Sequence, residues 1–139
     1  MPGSSLWLVP LEDSELFKTI HELTIASIPS MFPDSNAPPF YPHITLTSNV
    51  LITPALQPSN PEEWLESIVL SDGIENLRVV IGQVEVGEVF FKKVTMRCDR
   101  SRELCELAAV CRAAGVEGVD SKGAKKWVDE EYLPHCSLM

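Results

Sequence analysis

Two short segments of the chain repeat the same arrangement of residue types. Residues 42–46 read Pro-His-Ile-Thr-Leu and residues 134–138 read Pro-His-Cys-Ser-Leu, so each segment places a histidine two positions before a hydroxyl residue. An imidazole exchanges protons near neutral pH, and a hydroxyl donates hydrogen bonds to anionic oxygens. If the two segments lie side by side, their histidines and hydroxyls suit the hydrolysis of a phosphate ester by general acid and base.

Extended strands would position these side chains. Because side chains of a strand alternate between its two faces, each segment shows its histidine and hydroxyl on one face and its apolar residues on the other. A lone histidine near a threonine is usually a structural strand residue. The chain has three histidines, however, and two of them occur in the same five-residue frame, which favours function. The predicted site therefore consists of His43, Thr45, His135 and Ser137.

The paired motifs resemble the signature of the two-histidine phosphoesterase superfamily. Two flanking segments, residues 7–10 (Trp-Leu-Val-Pro) and 90–94 (Phe-Phe-Lys-Lys-Val), are similar to the fungal 2′,3′-cyclic-nucleotide 3′-phosphodiesterases. The resemblance covers essentially the whole chain. It implies an α+β fold, with one bilobal domain over residues 1–139, pseudo-symmetric antiparallel sheets, outer helices and an active cleft between the lobes. We expect the lobe with the first motif to span about residues 1–53 and the second part about 54–139.

The resemblance also implies an activity, the opening of cyclic phosphates. Two histidines suit this reaction without a metal ion. Nucleoside 2′,3′-cyclic phosphates would give nucleoside 2′-phosphates, and ADP-ribose 1″,2″-cyclic phosphate, a by-product of tRNA splicing, would give ADP-ribose 1″-phosphate. Relatives that process RNA ends or resemble RNA ligases carry the same motif pair. A nucleotide-binding module without catalytic activity is the alternative outside the enzymes, and the intact histidine pair speaks against it.

In such a reaction water attacks phosphorus in line with the departing ribose oxygen. One histidine would remove the proton of the water while the other protonates the leaving oxygen. Our working assignment is His135 as the base and His43 as the acid, and the sequence leaves their order open. The hydroxyls of Thr45 and Ser137 would bind the non-bridging oxygens, where a hydrogen bond to a charged group contributes about 1.5–3 kcal/mol.

No metal or cofactor is expected. A metal site would have to combine His43, His135 and Cys136, but residues 135 and 136 face opposite sides of a strand, so one ion could not easily bind both. For the nucleotide base we expect an aromatic platform. Tyr41 and Trp127 are the preferred candidates because they are predicted to lie in loops beside the motifs. The other candidates are Phe40, Phe91 and Tyr132.

The charge composition of the chain limits the ligands that it can bind. The net charge of −9 argues against binding long nucleic acid, which requires a basic face. Binding of a small cyclic phosphate nucleotide requires only local positive charge, and we expect such a nucleotide as the partner. We expect the protein itself to be a monomer. The candidate cations are Lys92, Lys93 and Arg97, and further along Lys122, Lys125 and Lys126.

The chain has no apolar run of about 18 residues that would span a membrane. Its start lacks a secretory signal, and its four cysteines show no Cys-x-x-Cys spacing, which indicates a reducing, cytoplasmic compartment. Family resemblance leaves Golgi association open. Because Met139 follows the second motif directly, we expect a C-terminally truncated form, with the apolar underside of Cys136 and Leu138 exposed.

Periodicity and breaker residues predict the remaining elements. We expect a helix capped by Asp13 or Ser14 that stops at Pro29, and a second helix capped by Ser101 that stops at Gly115. The other predictions are strands at 4–10, 43–51 and 132–139, a helix at 61–70, a hairpin at 77–97, and a loop or frayed helix at 117–130.

Overall fold

A computed structural model describes residues 4–34, 39–51, 61–70, 72–87, 94–116 and 118–139. The described strands are β1 (Ser4–Leu8), β2 (Ile44–Val50), β3 (Ile81–Val86), β4 (Val94–Cys98) and β5 (His135–Ser137). The described α-helices are α1 (Glu15–Glu22), α2 (Ile28–Met31), α3 (Pro61–Ser67), α4 (Arg102–Gly115) and α5 (Ser121–Glu131). A π-helical turn (Leu23–Ser27) joins α1 to α2, and a 3₁₀ turn spans Ile74–Asn76. The α+β class predicted from the sequence is confirmed.

The described strands form one sheet in the order β1-β2-β5-β4-β3. The pairs β2 with β5, β5 with β4, and β4 with β3 are antiparallel. Although β5 has three residues, it therefore lies between two partner strands. The last pair confirms the predicted hairpin arrangement of residues 77–97, and the turn between its strands lies outside the described residues.

The chain divides into two compact units, each built from several segments. What we call the helical unit comprises the described parts of Met1–Trp7, Thr45–Val79 and Arg100–Leu133. What we call the histidine unit comprises the described parts of Leu8–Ile44, Val80–Asp99 and Pro134–Met139. The lobe boundary expected near residue 53 lies outside the described residues.

The core of the histidine unit lies beneath its strands. Apolar side chains from one face of the strands pack with residues of α1 and α2; the buried cluster contains Ile20, Ile28, Ile44, Met96, Cys98, Cys136, Leu138 and Met139. The expectation of an exposed underside was wrong, since Cys136 is 3% exposed and Leu138 6%. Residues of α1 and α2 cover these side chains. The backbone of β5 is paired on both sides, and the backbone of Val94 hydrogen-bonds to both Leu138 and Met139.

The helix after β1 begins where the sequence predicts and continues past the predicted stop. The Ser14 hydroxyl accepts a hydrogen bond from the Phe17 amide at 3.1 Å, which caps α1. Pro29 does not end the helical path, because the preceding turn is π-helical and the Ile28 amide donates to the Leu23 carbonyl, five residues earlier. After this wider turn, Pro29 stands in the first turn of α2, where a missing amide donor is tolerated.

A second prediction from the sequence was wrong, and it concerns the helical unit. Residues 117–130, predicted as a loop or frayed helix, include most of α5. The Asp120 carboxylate caps this helix by accepting from the Gly123 amide at 2.7 Å. Ala124 and Val128, four positions apart, are buried on one side. The high content of Gly and Lys hid these two signals. None of the described helices is long and apolar enough to cross a membrane.

Candidate functional site

The pairing of β2 with β5 brings the two motifs together. Ile44 lies opposite Cys136 in antiparallel register, so the adjacent pair is His43 and Ser137. His135 is the diagonal neighbour of His43, at a typical Cα separation of about 7–8 Å. The three polar residues are half-buried, whereas Ile44 and Cys136 are buried below them. The predicted alternation is confirmed, and one unit holds both histidines and Ser137.

The imidazole of His43 is oriented by the chain just before it. Its Nδ1 lies 2.5 Å from the Tyr41 carbonyl oxygen. Because a carbonyl can accept but not donate, Nδ1 carries the hydrogen of this bond. In the neutral ring, Nε2 then holds the lone pair that can accept a proton. The backbone of Tyr41 thus selects the tautomer of His43.

The surroundings of His43 favour its neutral form. Burial lowers the pKa of His43, the hydrogen bond to the Tyr41 carbonyl acts in the opposite direction, and the charge of His135 lowers the pKa further. The two imidazoles are therefore close enough to affect each other's protonation. A proton on one ring disfavours a proton on the other. This coupling suits a pair that works with one neutral and one protonated ring.

Tyr41 is fixed through its hydroxyl while part of its ring stays exposed. The hydroxyl donates to the Glu12 carboxylate at 2.5 Å, and this hydrogen bond raises the pKa of Tyr41. The ring meets Phe17 edge-on, with centroids 5.2 Å apart. Tyr41 remains 40% exposed. It lies in the histidine unit, directly beside the first motif.

Thr45 follows Ile44 on β2 and is half-buried, as the alternation predicts. It is counted with the helical unit, where the Tyr132 hydroxyl donates to its carbonyl at 3.0 Å. Within the part of the chain that the structure describes, no hydrogen bond involves the side-chain hydroxyl of Thr45 or of Ser137. Both hydroxyls therefore retain their donor capacity for a ligand.

Trp127 lies in α5 and not in a loop, so the reason for selecting it from the sequence was wrong. It belongs to the helical unit. The Arg112 guanidinium stands 4.0 Å from the centre of its ring, and the Tyr132 ring centroid is 5.3 Å away. Arg112 also donates to the Thr47 hydroxyl at 3.2 Å. Packing partners thus cover part of the ring, and its role in base stacking stays a prediction.

Two residues of β4 lie on the polar face beside the second motif. Thr95 pairs with Ser137 and Arg97 pairs with His135. Since directly opposed side chains project from the same face, β4 contributes a hydroxyl and a cation next to β5. Sequence reasoning named Arg97 as one cation among several and missed Thr95. The alternation of residues 94–98 indicates that Thr95 and Arg97 share one face of a strand. This face could be assigned to the site only once β4 was known to pair with β5.

Metal ligands do not cluster in the part of the chain that the structure describes: no three residues among His, Cys, Asp and Glu come close enough there to hold an ion. The third histidine, His21, lies in α1 and stacks on Phe17 with ring centroids 5.5 Å apart. His21 therefore contributes to the packing of a helix.

Comparison with known proteins identifies the family. The model of a family described as cyclic phosphodiesterase-like protein matches residues 1–139. The chain belongs to this family. It is 38% identical over 140 residues to the 2′,3′-cyclic-nucleotide 3′-phosphodiesterase of Phaeosphaeria nodorum, a match that covers 100% of the chain and 69% of the relative. The resemblance to the fungal 2′,3′-cyclic-nucleotide 3′-phosphodiesterases is confirmed.

Two further relatives carry the same name. The Neurospora crassa protein is 34% identical over 153 residues, with 100% of this chain and 71% of the relative covered. The Saccharomyces cerevisiae protein is 29% identical over 162 residues, with 97% of this chain and 63% of the relative covered. The likeness thus extends over nearly the whole chain in each comparison.

Proposed function

We propose that this protein hydrolyses nucleoside 2′,3′-cyclic phosphates to nucleoside 2′-phosphates, with His43 and His135 as the acid and base pair. The observation that carries the proposal is the β2–β5 register, which brings both histidines and Ser137 to one polar face. Membership of the cyclic phosphodiesterase family and the names of the similar fungal proteins support the same reaction.

We assign the base role to His43, the reverse of the working assignment from the sequence. Its lowered pKa favours the neutral ring, and donation from Nδ1 to the Tyr41 carbonyl leaves Nε2 as the proton acceptor. His43 takes a proton from the attacking water as the new P–O bond forms. His135 donates its proton to the 3′ oxygen as the P–O3′ bond breaks, which leaves the phosphate on the 2′ oxygen.

Hydroxyl donors complete the scheme. Thr45 and Ser137 donate hydrogen bonds to the non-bridging oxygens, whose negative charge grows in the transition state. The half-burial of both residues supports this role, because a hydrogen bond to an anion is stronger where water is partly excluded. The imidazolium of His135 supplies positive charge to the same group. The scheme requires no metal ion.

Tyr41 is our candidate for the base platform. It precedes His43 by two positions, belongs to the same unit and keeps 40% of its surface exposed. Trp127 is less suited, since the Arg112 guanidinium already lies over its ring. Aromatic stacking contributes about 1–3 kcal/mol per base. Stacking on Tyr41 would bind adenine and would not select among substrates that differ in the groups attached to the ribose.

ADP-ribose 1″,2″-cyclic phosphate is the second substrate that we propose. Its phosphate forms the same five-membered cyclic diester on a ribose, so the same acid, base and hydroxyl donors would act on it. This substrate would link the protein to the by-products of tRNA splicing. A reducing cytoplasmic location, with Golgi association as the family resemblance implies, is part of the same proposal.

The decisive experiment is product analysis with adenosine 2′,3′-cyclic phosphate. The purified chain is incubated with this compound with and without EDTA, and the products are separated by chromatography against 2′-AMP and 3′-AMP standards. We expect 2′-AMP at the same rate in both arms. Formation of 3′-AMP would contradict the proposal that the 3′ oxygen is the leaving group. Activity that EDTA abolishes and added metal restores would contradict the metal-free scheme.

A further inference from the structure

Arg97 brings a cation to the polar face next to the second histidine. It lies on β4 directly opposite His135, so both side chains project from the same face. The Arg97 side chain is 50% exposed. The chain has 20 acidic and 11 basic residues, and Arg97 places one of the basic side chains beside the second motif.

An ion pair holds the guanidinium on the outer side of β4. Arg97 Nε lies 3.2 Å from Glu85 Oε1 on β3, the strand beyond β4. This bond uses one of the five N–H groups of the guanidinium and leaves the four on the Nη atoms. Among the described residues, the Arg97 side chain makes no other ion pair or hydrogen bond. Glu85 therefore favours a direction of the Arg97 side chain toward β3 and does not use its Nη donors.

The ion pair with Glu85 favours a position of the Arg97 guanidinium away from the phosphate that is cleaved. That phosphate would lie between His43 on the β2 side and His135 on β5. Neighbouring strands stand about 4.8 Å apart, so β4 lies one strand further from His43, and the bond to Glu85 directs the guanidinium toward β3. The guanidinium is thus placed for a different anionic group of the substrate.

We propose that Arg97 binds a second phosphate of the substrate, attached to the 5′ oxygen of the same ribose. The proposal rests on the proposed function of the histidine pair. In such a nucleotide the 5′-phosphate and the 2′,3′-cyclic phosphate lie at opposite ends of the ribose, so the two anions reach two separate positions on the sheet. A guanidinium binds phosphate through two parallel hydrogen bonds, which gives both affinity and orientation. The protein therefore prefers 5′-phosphorylated cyclic nucleotides.

The test compares two substrates that differ in this group alone, adenosine 2′,3′-cyclic phosphate and its 5′-phosphorylated form. For Arg97→Gln we expect kcat/KM on the 5′-phosphorylated substrate to fall about tenfold through a higher KM. Turnover of the unphosphorylated substrate should stay within about twofold of wild type. Arg97→Lys should recover part of the loss, because it keeps the charge but not the fork geometry.

Arg78→Gln is the matched control. It removes the same charge from an exposed position in the helical unit, and both substrates should be turned over as by wild type. An equal loss on both substrates, or no loss on either, would overturn the assignment of Arg97 while the activity on the unphosphorylated substrate still supports the proposed function. If wild type cleaves neither substrate, the proposed function fails, and the assignment of Arg97 fails with it.

Discussion

The two motif segments share one pattern of residue types but have different surroundings. His43 directly precedes the seven-residue strand β2, and its Nδ1 donates to the Tyr41 carbonyl. His135 opens the three-residue strand β5, which has partner strands on both sides and Arg97 directly opposite. The repeated sequence thus produces two histidines that are not equivalent. The motif specifies the pair, and the surroundings of His43 favour the neutral form of that ring by lowering its pKa.

The largest expected effect tests the pair itself. His43→Ala and His135→Ala should each lower kcat/KM for a 2′,3′-cyclic nucleotide by about 10²–10⁴-fold, because each removes one proton-transfer step. Circular dichroism should show an unchanged fold. His21→Ala is the control, since His21 lies in α1 and stacks on Phe17. A variant at residue 43 or 135 that keeps wild-type turnover would exclude that histidine from the mechanism.

The hydroxyls should show a smaller effect. Thr45→Ala and Ser137→Ala should each lower kcat/KM by about 10- to 100-fold, as expected for one hydrogen bond to a charged group. Thr45→Ser and Ser137→Thr keep the hydroxyl and should retain most activity. Steady-state kinetics of the four variants test this, with Ser48→Ala, at an exposed position of β2, as the control. Equal losses in the alanine and hydroxyl-retaining variants would indicate a packing role.

The apolar underside of the second motif should affect stability. Burial raises the pKa of the Cys136 thiol, which lies in the apolar cluster with Ile44 and Met96. Cys136→Ser places a hydroxyl in these surroundings and should lower the free energy of unfolding by about 1–3 kcal/mol in urea denaturation. Cys105→Ser, at the half-buried position of α4, should change it little. Similar effects of both substitutions would contradict the burial of Cys136.

The smallest effect is a shift in one titration. NMR should show that His43 titrates below its ordinary pKa of 6.5, and that His135→Gln moves this value upward by removing the second charge. Because the folded pKa is the lower one, the unfolded chain binds the proton first as the pH falls. The contribution of His43 to stability is therefore present above pH 6.5 and lost as the pH falls toward the folded pKa.

The same lowered pKa sets the pH dependence of catalysis. If His43 is the base, the acidic limb of kcat/KM should lie below pH 6.5, since the neutral ring persists to lower pH. The apparent value belongs to the coupled histidine pair. Titration of His43 at or above 6.5 would return the role of base to His135.

Local signals predicted much of the fold and the core of the site. The alternation of residues around His43 and His135 predicted their exposure, and Ser14 and Ser101 predicted two helix starts through the hydrogen bonds that they accept. These features depend on residues within four positions of each other. The stop predicted at Pro29 was wrong for a different reason: the π-helical turn at Leu23–Ser27 places the proline in the first turn of α2, where a missing amide donor is tolerated.

The residues around the second motif could not be predicted from local sequence patterns. The proximity of Arg97 to His135 depends on the strand order, in which β5 enters between β2 and β4. Nothing in residues 94–98 states which strand will be their neighbour. The orientation of His43 was missed for a similar reason, since the Tyr41 carbonyl acts through its backbone conformation and not through its residue type.

The long sequence separation of the paired strands has a consequence for folding kinetics. The Tyr132 hydroxyl reaches the Thr45 carbonyl across 87 positions of the chain, and Ile44 and Cys136 pair across a comparable separation. Contacts of this kind form slowly, because the loop-closure entropy is lost before the contacts stabilise the fold. Helix α4, built from local hydrogen bonds, has no such barrier. In refolding from denaturant, helical signal should therefore return before catalytic turnover, and turnover reports the completion of folding.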